Sequence, residues 1–398
     1  NRYLLSTMTM TSSTSKQRAL TQSDYRAKLR VPSSSGGGEE ASSSTTKPRP
    51  IITSTDVATL PKPGTSSPTS IQFLSSTKLA FLLAPDATSL SRQLFVLDVT
   101  AGKRTQVVIG GEDIEEGKFS HEEQMRRERL RLMATGVTSY EMSSEGSLEE
   151  GEEGGEEKKK KVGLIPHGGG LYLWDCSHDT TENERPKLLV DASDVDGSST
   201  ILDAKLSADG KTVAFVANEE VYVVRVPEDG SRGKPVQVTS GARGVEGRTN
   251  GVADYLAMEE LSRPEGFWLS PDGQSLAFEQ VDEGHIPPYR IVHQAAPGGL
   301  APALNEGVTT SAMAKSTRVP HEEHRFVFAG TVNPIVKLGI QQTTNPNNNV
   351  LWLDLESIFG LDFYLAKLEW LKDNTGIVVQ LLDRKQQNLA LVMFDAAT

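Results

Sequence analysis

The chain has 398 residues, and an excess of acidic over basic side chains gives it a formal net charge of -12 at pH 7. A charge of this sign disfavours nucleic acid as the main partner, and no apolar run approaches the roughly 18 residues of a membrane-spanning helix. Cys176 is the single cysteine, which excludes an internal disulfide and suits a reducing compartment. We therefore expect a cytoplasmic protein with neither a nucleic-acid partner nor a membrane span.

The N-terminal segment differs in composition from the rest of the chain. Residues 1–68 are rich in serine, threonine and proline and contain few large apolar side chains. They cannot bury enough apolar surface to offset the entropy lost on ordering, so we predict a disordered leader. Residues 1–50 are also basic and poor in acids, as organelle transit peptides are. An organelle is therefore the alternative location.

From Ile71 onward, short apolar runs alternate with turn residues. The recurring unit is a strand, an Asp-Gly or Asn-containing turn, a second strand, another turn and a third strand, as in residues 201–226. This unit is an antiparallel meander, the blade of a β-propeller. We predict an all-β fold for residues 69–398, a partial propeller of about four to five four-stranded blades with short helical insertions. An unrelated β-sandwich is the alternative.

Two further segments interrupt the blades. Residues 119–134 are predicted to form an arginine-rich helix, with Ser120 as its N-cap and Glu123 as the capping-box partner. Its acidic residues precede its basic ones, which complements the helix dipole. Residues 143–161 are a glutamate and glycine run that ends in four lysines. A block of this kind is predicted to be a disordered, solvated loop.

A third insertion, a helix predicted over residues 253–264, carries two adjacent carboxylates, Glu259 and Glu260. It belongs to one of three groups of motifs that resemble a known family. The motifs are EE (259–260) with GFWLSPDG (266–273), EEQMRRERLR (122–131) with GVTSY (136–140), and NPIVKLG (333–339) with DFYLAKLEW (362–370) and LDRKQQNL (382–389). Together they resemble the propeller region of the dipeptidyl peptidase IV family of serine peptidases, most closely its dipeptidyl peptidase 8/9-like and bacterial branches.

The resemblance implies that Glu259, Glu260 and Arg131 bind the substrate and break no bond. Near neutral pH a peptide's α-amino group is mostly protonated, and two carboxylates can bracket such a cation. Arg131 would keep both acids ionised and donate to a substrate carbonyl. The implied function is the N-terminal propeller part of a dipeptidyl peptidase, which binds peptides with a free N-terminus so that Xaa-Pro or Xaa-Ala dipeptides are released.

Other interpretations remain open at this point. Adjacent glutamates on a surface helix can simply be solvated, and the chain can be a non-catalytic propeller scaffold that mediates protein interactions. A related propeller-gated peptidase, such as an oligopeptidase or acylaminoacyl peptidase, is a second rival, although such enzymes need no ammonium anchor. The family also tends to dimerise, so we expect a homodimer of the full-length protein.

The catalytic apparatus of the family is not found in this sequence. A serine nucleophile of this kind sits in a G-x-S-x-G turn, and residues 1–398 contain none. In the family the hydrolase domain lies mainly C-terminal to the propeller, so we expect an incomplete propeller that is inactive alone. The histidines show no zinc spacing, because the stretch from His321 to His324 is one residue short of H-E-x-x-H. No metal or cofactor is expected.

Overall fold

The computed structural model describes most of the chain. The ranges are 6–8, 67–85, 89–110, 121–144, 147–148, 159–176, 185–198, 200–292, 321–346 and 349–396. Strands dominate them, and no helix within these ranges is long and apolar enough to cross a membrane.

The strands form five blade-like antiparallel sheets in chain order, after a short first strand, β1 (Ser6–Met8). Blade I contains β2 (Thr69–Phe73), β3 (Lys78–Leu83), β4 (Ser91–Asp98) and β5 (Lys103–Gln106). It is followed by helix α1 (His121–Arg129) and by β6 (Thr135–Gly136), which pairs in parallel with β4. Blade II contains β7 (Glu141–Met142), the separate pair β8 (Ser147–Leu148) and β9 (Lys159–Lys160), and then β10 (Val162–His167), β11 (Gly170–Asp175) and β12 (Lys187–Asp191).

Blades III to V follow the same plan. Blade III contains β13 (Leu202–Leu206), β14 (Thr212–Ala217), β15 (Glu220–Arg225) and β16 (Val236–Gln237). Blade IV contains β17 (Arg248–Asn250), helix α2 (Tyr255–Glu260), β18 (Phe267–Leu269), β19 (Ser275–Asp282), the hairpin β20 (Pro288–Val292) and β21 (His321–Arg325), β22 (Ile335–Gln342) and β23 (Leu351–Trp352). After helix α3 (Glu356–Phe359), blade V contains β24 (Phe363–Trp370), β25 (Gly376–Asp383) and β26 (Leu389–Asp395), with β1 as its outer strand.

Two turns of identical design join strands within blades III and IV. They are Ser207–Gly210 and Ser270–Gly273, each of the form Ser-x-Asp-Gly. The serine hydroxyl accepts the N–H that opens the following strand, at 3.0 and 2.9 Å. Gly210 and Gly273 have φ of 75° and 64°, the left-handed region that glycine enters without a steric penalty. The turn chemistry visible in the sequence thus produces the meander.

Each pair of consecutive blades shares an apolar core. Fully buried side chains such as Trp174, Phe215, Phe267 and Leu381 occupy the four successive interfaces. The first strands of blades II to V also pack against one another, which places them along the propeller axis. This arrangement confirms the predicted fold class, a partial all-β propeller.

Several predicted boundaries differ from the structure. Helix α1 ends at Arg129, earlier than the predicted residue 134, because Arg131 enters the left-handed region with φ of 52°. The predicted leader and acidic insert lie largely outside the described residues. Where the structure does describe these two segments, it shows short strands: β1 of the leader pairs with β26, and β8 and β9 of the insert pair with each other.

The first strand of blade IV is split in two. Strand β17 pairs with residues 280–282 of β19 and β18 pairs with residues 276–278, so the segment containing α2 is inserted between two halves of one strand. Glu279 lies opposite the gap, where its backbone bonds to Gly251 at 2.8 Å and to Gly266 at 2.9 Å. The two glycines form a narrow neck from which α2 projects.

The neck has no room for a side chain, and this is testable. A Cβ on Gly266 would lie 2.4 Å from the carbonyl carbon of Gly251, and neither backbone can yield. We expect Gly266→Ala to lower the free energy of unfolding by about 1–3 kcal/mol, as overpacking does. Gly110→Ala is the matched control, because its new methyl would meet only Tyr172 at 3.7 Å. Equal urea midpoints for the two variants would contradict the close approach.

Candidate functional site

Helix α2 is short and is held at its start by a side-chain cap. Asp254 accepts the backbone N–H groups of Leu256 at 2.9 Å and Ala257 at 3.2 Å. Such an N-cap satisfies donors that have no partner inside the helix. The helix spans Tyr255–Glu260, shorter than the predicted 253–264, because Ser262 is left-handed with φ of 52°.

A buried ion pair fixes the other end of the insertion. The guanidinium of Arg263 donates to both carboxylate oxygens of Glu279, each at 2.9 Å, and its Nε donates to the carbonyl of Leu365 at 2.9 Å. It also donates to the carbonyl of Glu265 and lies over the ring of Trp268. Complete burial raises the pKa of Glu279 to about 7, although Arg263 opposes the rise. One arginine therefore joins the α2 insertion to blades IV and V.

The two predicted acids occupy the last turn of α2. The Glu259 carboxylate keeps 23% of its side-chain surface exposed and lies 3.9 Å from a guanidinium nitrogen of Arg131. Glu260 is exposed, and among the described residues no hydrogen bond or ion pair holds its carboxylate. The Arg131 side chain is itself 87% exposed. The structure thus brings Arg131 and Glu259 together at the edge of ion-pair range and leaves both acids accessible.

The arginines of α1 each contact a different partner. Arg126 bonds to Asp203 of blade III at 2.9 Å, and Arg127 donates to the carbonyl of Ala134 in the loop that follows the helix. Arg129 connects α1 directly to α2. Its guanidinium lies 5.2 Å from the ring centroid of Tyr255 and 3.6 Å from the sulfur of Met258. These contacts place the C-terminal end of α1 beside the acids.

A partly buried acid lies near the start of α2. Burial raises the pKa of Glu283 to about 7, and the nearby Asp254 carboxylate adds to the rise, while Arg129 and Arg325 oppose it. Its sequence neighbour Asp282 behaves in the opposite way. Hydrogen bonds from Arg248, at 2.7 Å and 3.2 Å, hold the pKa of Asp282 below its usual range.

Several contributors to this site were not found by sequence reasoning. Arg263 was not predicted to belong to the site, and Arg129 was not distinguished from its neighbours. Tyr255 was not singled out either, although it lies four residues before Glu259 and so shares its face of α2. Asp254, immediately before the helix, is a capping signal that the sequence does contain.

The described residues offer no group of three or more His, Cys, Asp or Glu side chains that could hold a metal ion. The stretch that lacks one residue of a zinc motif is strand β21, whereas H-E-x-x-H requires a helix to bring its histidines onto one face.

The fold and this insertion define a class of protein: a β-propeller in which a helix carrying two glutamates interrupts the first strand of a blade. The sequence profile described as the dipeptidyl peptidase IV (DPP IV) N-terminal region matches residues 160–398. The chain belongs to this family, as its motifs predicted. The finer assignment to the dipeptidyl peptidase 8/9-like branch stays a prediction.

Individual relatives agree with the family assignment. The chain is 26% identical to venom dipeptidyl peptidase 4 of Vespula vulgaris over 46% of this chain and 21% of that protein. It is 23% identical to dipeptidyl peptidase 8 of Mus musculus over 70% of this chain and 29% of that protein. It is also 28% identical to inactive dipeptidyl peptidase 10 of Rattus norvegicus over 37% of this chain and 16% of that protein.

A solved structure supports the fold alone. The chain is similar to Porphyromonas gingivalis dipeptidyl peptidase 4 with a TM-score of 0.50 and 16% identity, over 82% of this chain and 38% of that one. The chain therefore spans well under half the length of the proteins it resembles.

The Arg263–Glu279 pair predicts a specific pattern of stabilities. We expect Arg263→Met to lower the free energy of unfolding by about 3–5 kcal/mol, because it leaves the Glu279 carboxyl buried without its cation. Adding Glu279→Gln to that variant should recover part of the loss, since it removes the unpaired charge. Urea unfolding of the wild type, both single variants and the double variant gives the cycle. Strictly additive losses would show that the two side chains do not interact.

The neighbouring acids Asp282 and Glu283 predict opposite pH effects. Glu283 binds its proton more tightly in the folded state, so its ionisation opposes folding as pH rises from about 4.3 towards 7. Glu283→Gln should therefore stabilise the protein at pH 8 and change little at pH 4. Asp282 has a lowered pKa, so its contribution is present above about pH 4 and is lost as pH falls.

Asp282→Asn is consequently the matched control for Glu283→Gln. It should destabilise the protein at pH 8, and the difference from wild type should shrink below about pH 4. Unfolding free energies across this pH range check both signs. A loss of stability at pH 8 in Glu283→Gln would contradict the assigned environment of Glu283.

Proposed function

We propose that this chain is the substrate-binding propeller part of a serine-type dipeptidyl peptidase, and that it binds the free N-terminus of peptides. The complete protein would then release N-terminal Xaa-Pro or Xaa-Ala dipeptides. Glu259 and Glu260 bind the α-ammonium group, and Arg131 orients the first peptide carbonyl. Family membership supports the class of activity, and the geometry of α2 supports the roles of these residues.

The observation that carries the proposal is a contrast between acids of the same region. Glu220 is fully buried and accepts four hydrogen bonds, from the Thr239 hydroxyl, the Ala242 and Arg243 backbone N–H groups and the Asn250 amide. Glu279 is equally buried and has its arginine. Within the part of the chain that the structure describes, the ion-pair partner of Glu259 is a distant cation at 3.9 Å, and Glu260 is exposed. The first two acids serve the fold, whereas the second two are available to a ligand.

The chemistry of an ammonium group fits this pair. A protonated α-amino group offers three donors and one positive charge, and charge-assisted hydrogen bonds are about twice as strong as neutral ones. Adjacent helical side chains diverge by about 100°, so Glu259 and Glu260 approach one cation from two sides. An acetylated N-terminus has neither the charge nor the three donors. The site should therefore discriminate sharply between the two forms.

A non-catalytic scaffold is the alternative function. It is favoured by the similarity to inactive dipeptidyl peptidase 10, whose name describes a protein without activity. A scaffold that does not bind peptide ends has no use for an accessible acid pair. Binding of a free N-terminus is therefore the property that separates the two functions. Homodimerisation of the full-length protein stays a prediction.

Peptide binding tests the proposal directly. A Xaa-Pro peptide labelled at its C-terminus is titrated with the protein, with the N-terminus either free or acetylated, and the dissociation constants are read by fluorescence anisotropy. The free peptide should bind at least about tenfold more tightly, which corresponds to about 1.4 kcal/mol. Glu259→Gln and Glu260→Gln should each abolish most of this preference.

The chain supplies a matched control in another adjacent acid pair. Glu228 and Asp229 are exposed in the turn between β15 and β16 of blade III. Glu228→Gln removes the same charge and should leave the preference for the free peptide unchanged. Equal affinity of the wild type for the free and acetylated peptides would refute the proposal.

A further inference from the structure

Asp203 has an unusual backbone conformation in the first strand of blade III. Its φ is 48°, a left-handed value that non-glycine residues rarely adopt, and it lies where the pairing of β13 with β14 shifts between Leu202 and Lys205. The bulge redirects the side chain at this point of the strand. Strained residues of this kind tend to mark positions where function outweighs stability.

The redirected side chain holds helix α1. The Asp203 carboxylate oxygen Oδ1 accepts from Arg126 at 2.9 Å and also lies 3.6 Å from the Lys205 ammonium group. Only 11% of the Asp203 side chain is exposed. This contact joins residues 77 positions apart in the chain, from α1 to blade III.

Two cavities, of about 530 and 280 Å³, border helix α1, and both are lined by Arg126 and Asp203. A helix of nine residues is not stable by itself in water. The Arg126–Asp203 pair bridges the space between the two cavities.

Several features around Asp203 are unfavourable to folding. Burial raises the pKa values of Glu123 and Glu141, and the Asp203 charge adds to both rises. The second oxygen of Asp203 is buried without a hydrogen-bond partner among the described residues. A strained acid near two other acids costs free energy, and the contacts of its carboxylate with Arg126 and Lys205 offset this cost.

We propose that Asp203 is a positioning residue, which sets the place of α1 through Arg126 and thereby holds Arg129 and Arg131 against α2. This inference rests on the proposed function of the Glu259 and Glu260 pair and extends it. Each residue of a helix rises 1.5 Å. A slip of α1 by one residue away from Glu259 would therefore carry the 3.9 Å contact of Arg131 with Glu259 beyond ion-pair range.

Asp203→Gly separates positioning from folding. Glycine adopts the left-handed conformation without strain, so this variant should unfold at a urea midpoint no lower than that of wild type. Its affinity for the free-amine peptide relative to the acetylated one should nevertheless fall about fivefold, which corresponds to about 1 kcal/mol. A residue with a merely structural role would not change this ratio. Asp203→Asn, which keeps the size and tolerates the conformation, should lower the ratio in the same direction.

A double-variant cycle identifies the partner. Arg126→Gln should reproduce the loss seen in Asp203→Gly, and the two changes together should cause no further loss, because they remove one contact. Asp229→Asn, an exposed acid of the same blade, is the control and should change nothing. Additive losses would overturn the inference.

The Glu259→Gln variant separates the two levels of the proposal. If it loses the preference for the free amine while Asp203→Gly and Asp203→Asn keep it, the positioning role is wrong and the proposed function stands. If Glu259→Gln keeps the preference, the proposed function fails, and the role of Asp203 fails with it.

Discussion

Glu279 connects the candidate site to the propeller. Its backbone forms hydrogen bonds with Gly251 and Gly266, the two ends of the α2 insertion. Its carboxylate accepts hydrogen bonds from both terminal nitrogens of Arg263. One residue of a central strand thus closes the neck and orients the segment beyond it. Buried ion pairs often contribute little net stability, because desolvation offsets their attraction. The pair instead fixes the position of the six-residue α2 relative to blade V. There the backbone carbonyl of Leu365 accepts a hydrogen bond from the same arginine.

Two kinds of packing coexist in the molecule. The blades are joined by apolar side chains, whose burial is non-directional and sums over large areas. The helices beside the axis are held by charges and caps, each of which acts at one point. Arg126 contacts β13 of blade III, whereas Arg129 and Arg131 both contact α2. Directional contacts of this kind fix a short polar helix that buries too little apolar surface to hold its own position.

The sequence predicted the blades well and the site only in part. Strand and turn signals are local, so the Ser-x-Asp-Gly turns and the alternating apolar runs were sufficient to identify a propeller. The two helices were predicted too long, since their ends depend on left-handed residues such as Arg131 and Ser262. Nothing in their local sequence demands that conformation.

Local sequence patterns did not predict contacts between residues that are distant in the chain. Arg263 follows α2 directly, yet its partner Glu279 lies 16 residues later and Leu365 lies 102 residues later. An arginine beside a proline is typical of a loop, and only the fold shows that this one is buried. The same holds for Asp203, whose role depends on a helix 77 residues earlier. Charged residues that act through distant partners carry no periodic signal.

The way in which α2 is inserted separates the site from the fold. Strands β17 and β18 pair with the two sides of Glu279 in one continuous register, so the insertion causes no slip along β19. A slip of β18 by one residue would turn every side chain of that strand to the opposite face, and Phe267 would leave the core in which it is now fully buried. Because the register is preserved, the residues of α2 can be chosen for binding while the strand beneath is chosen for packing. For this reason, an accessible pair of like charges can lie beside a fully packed core without disturbing its packing.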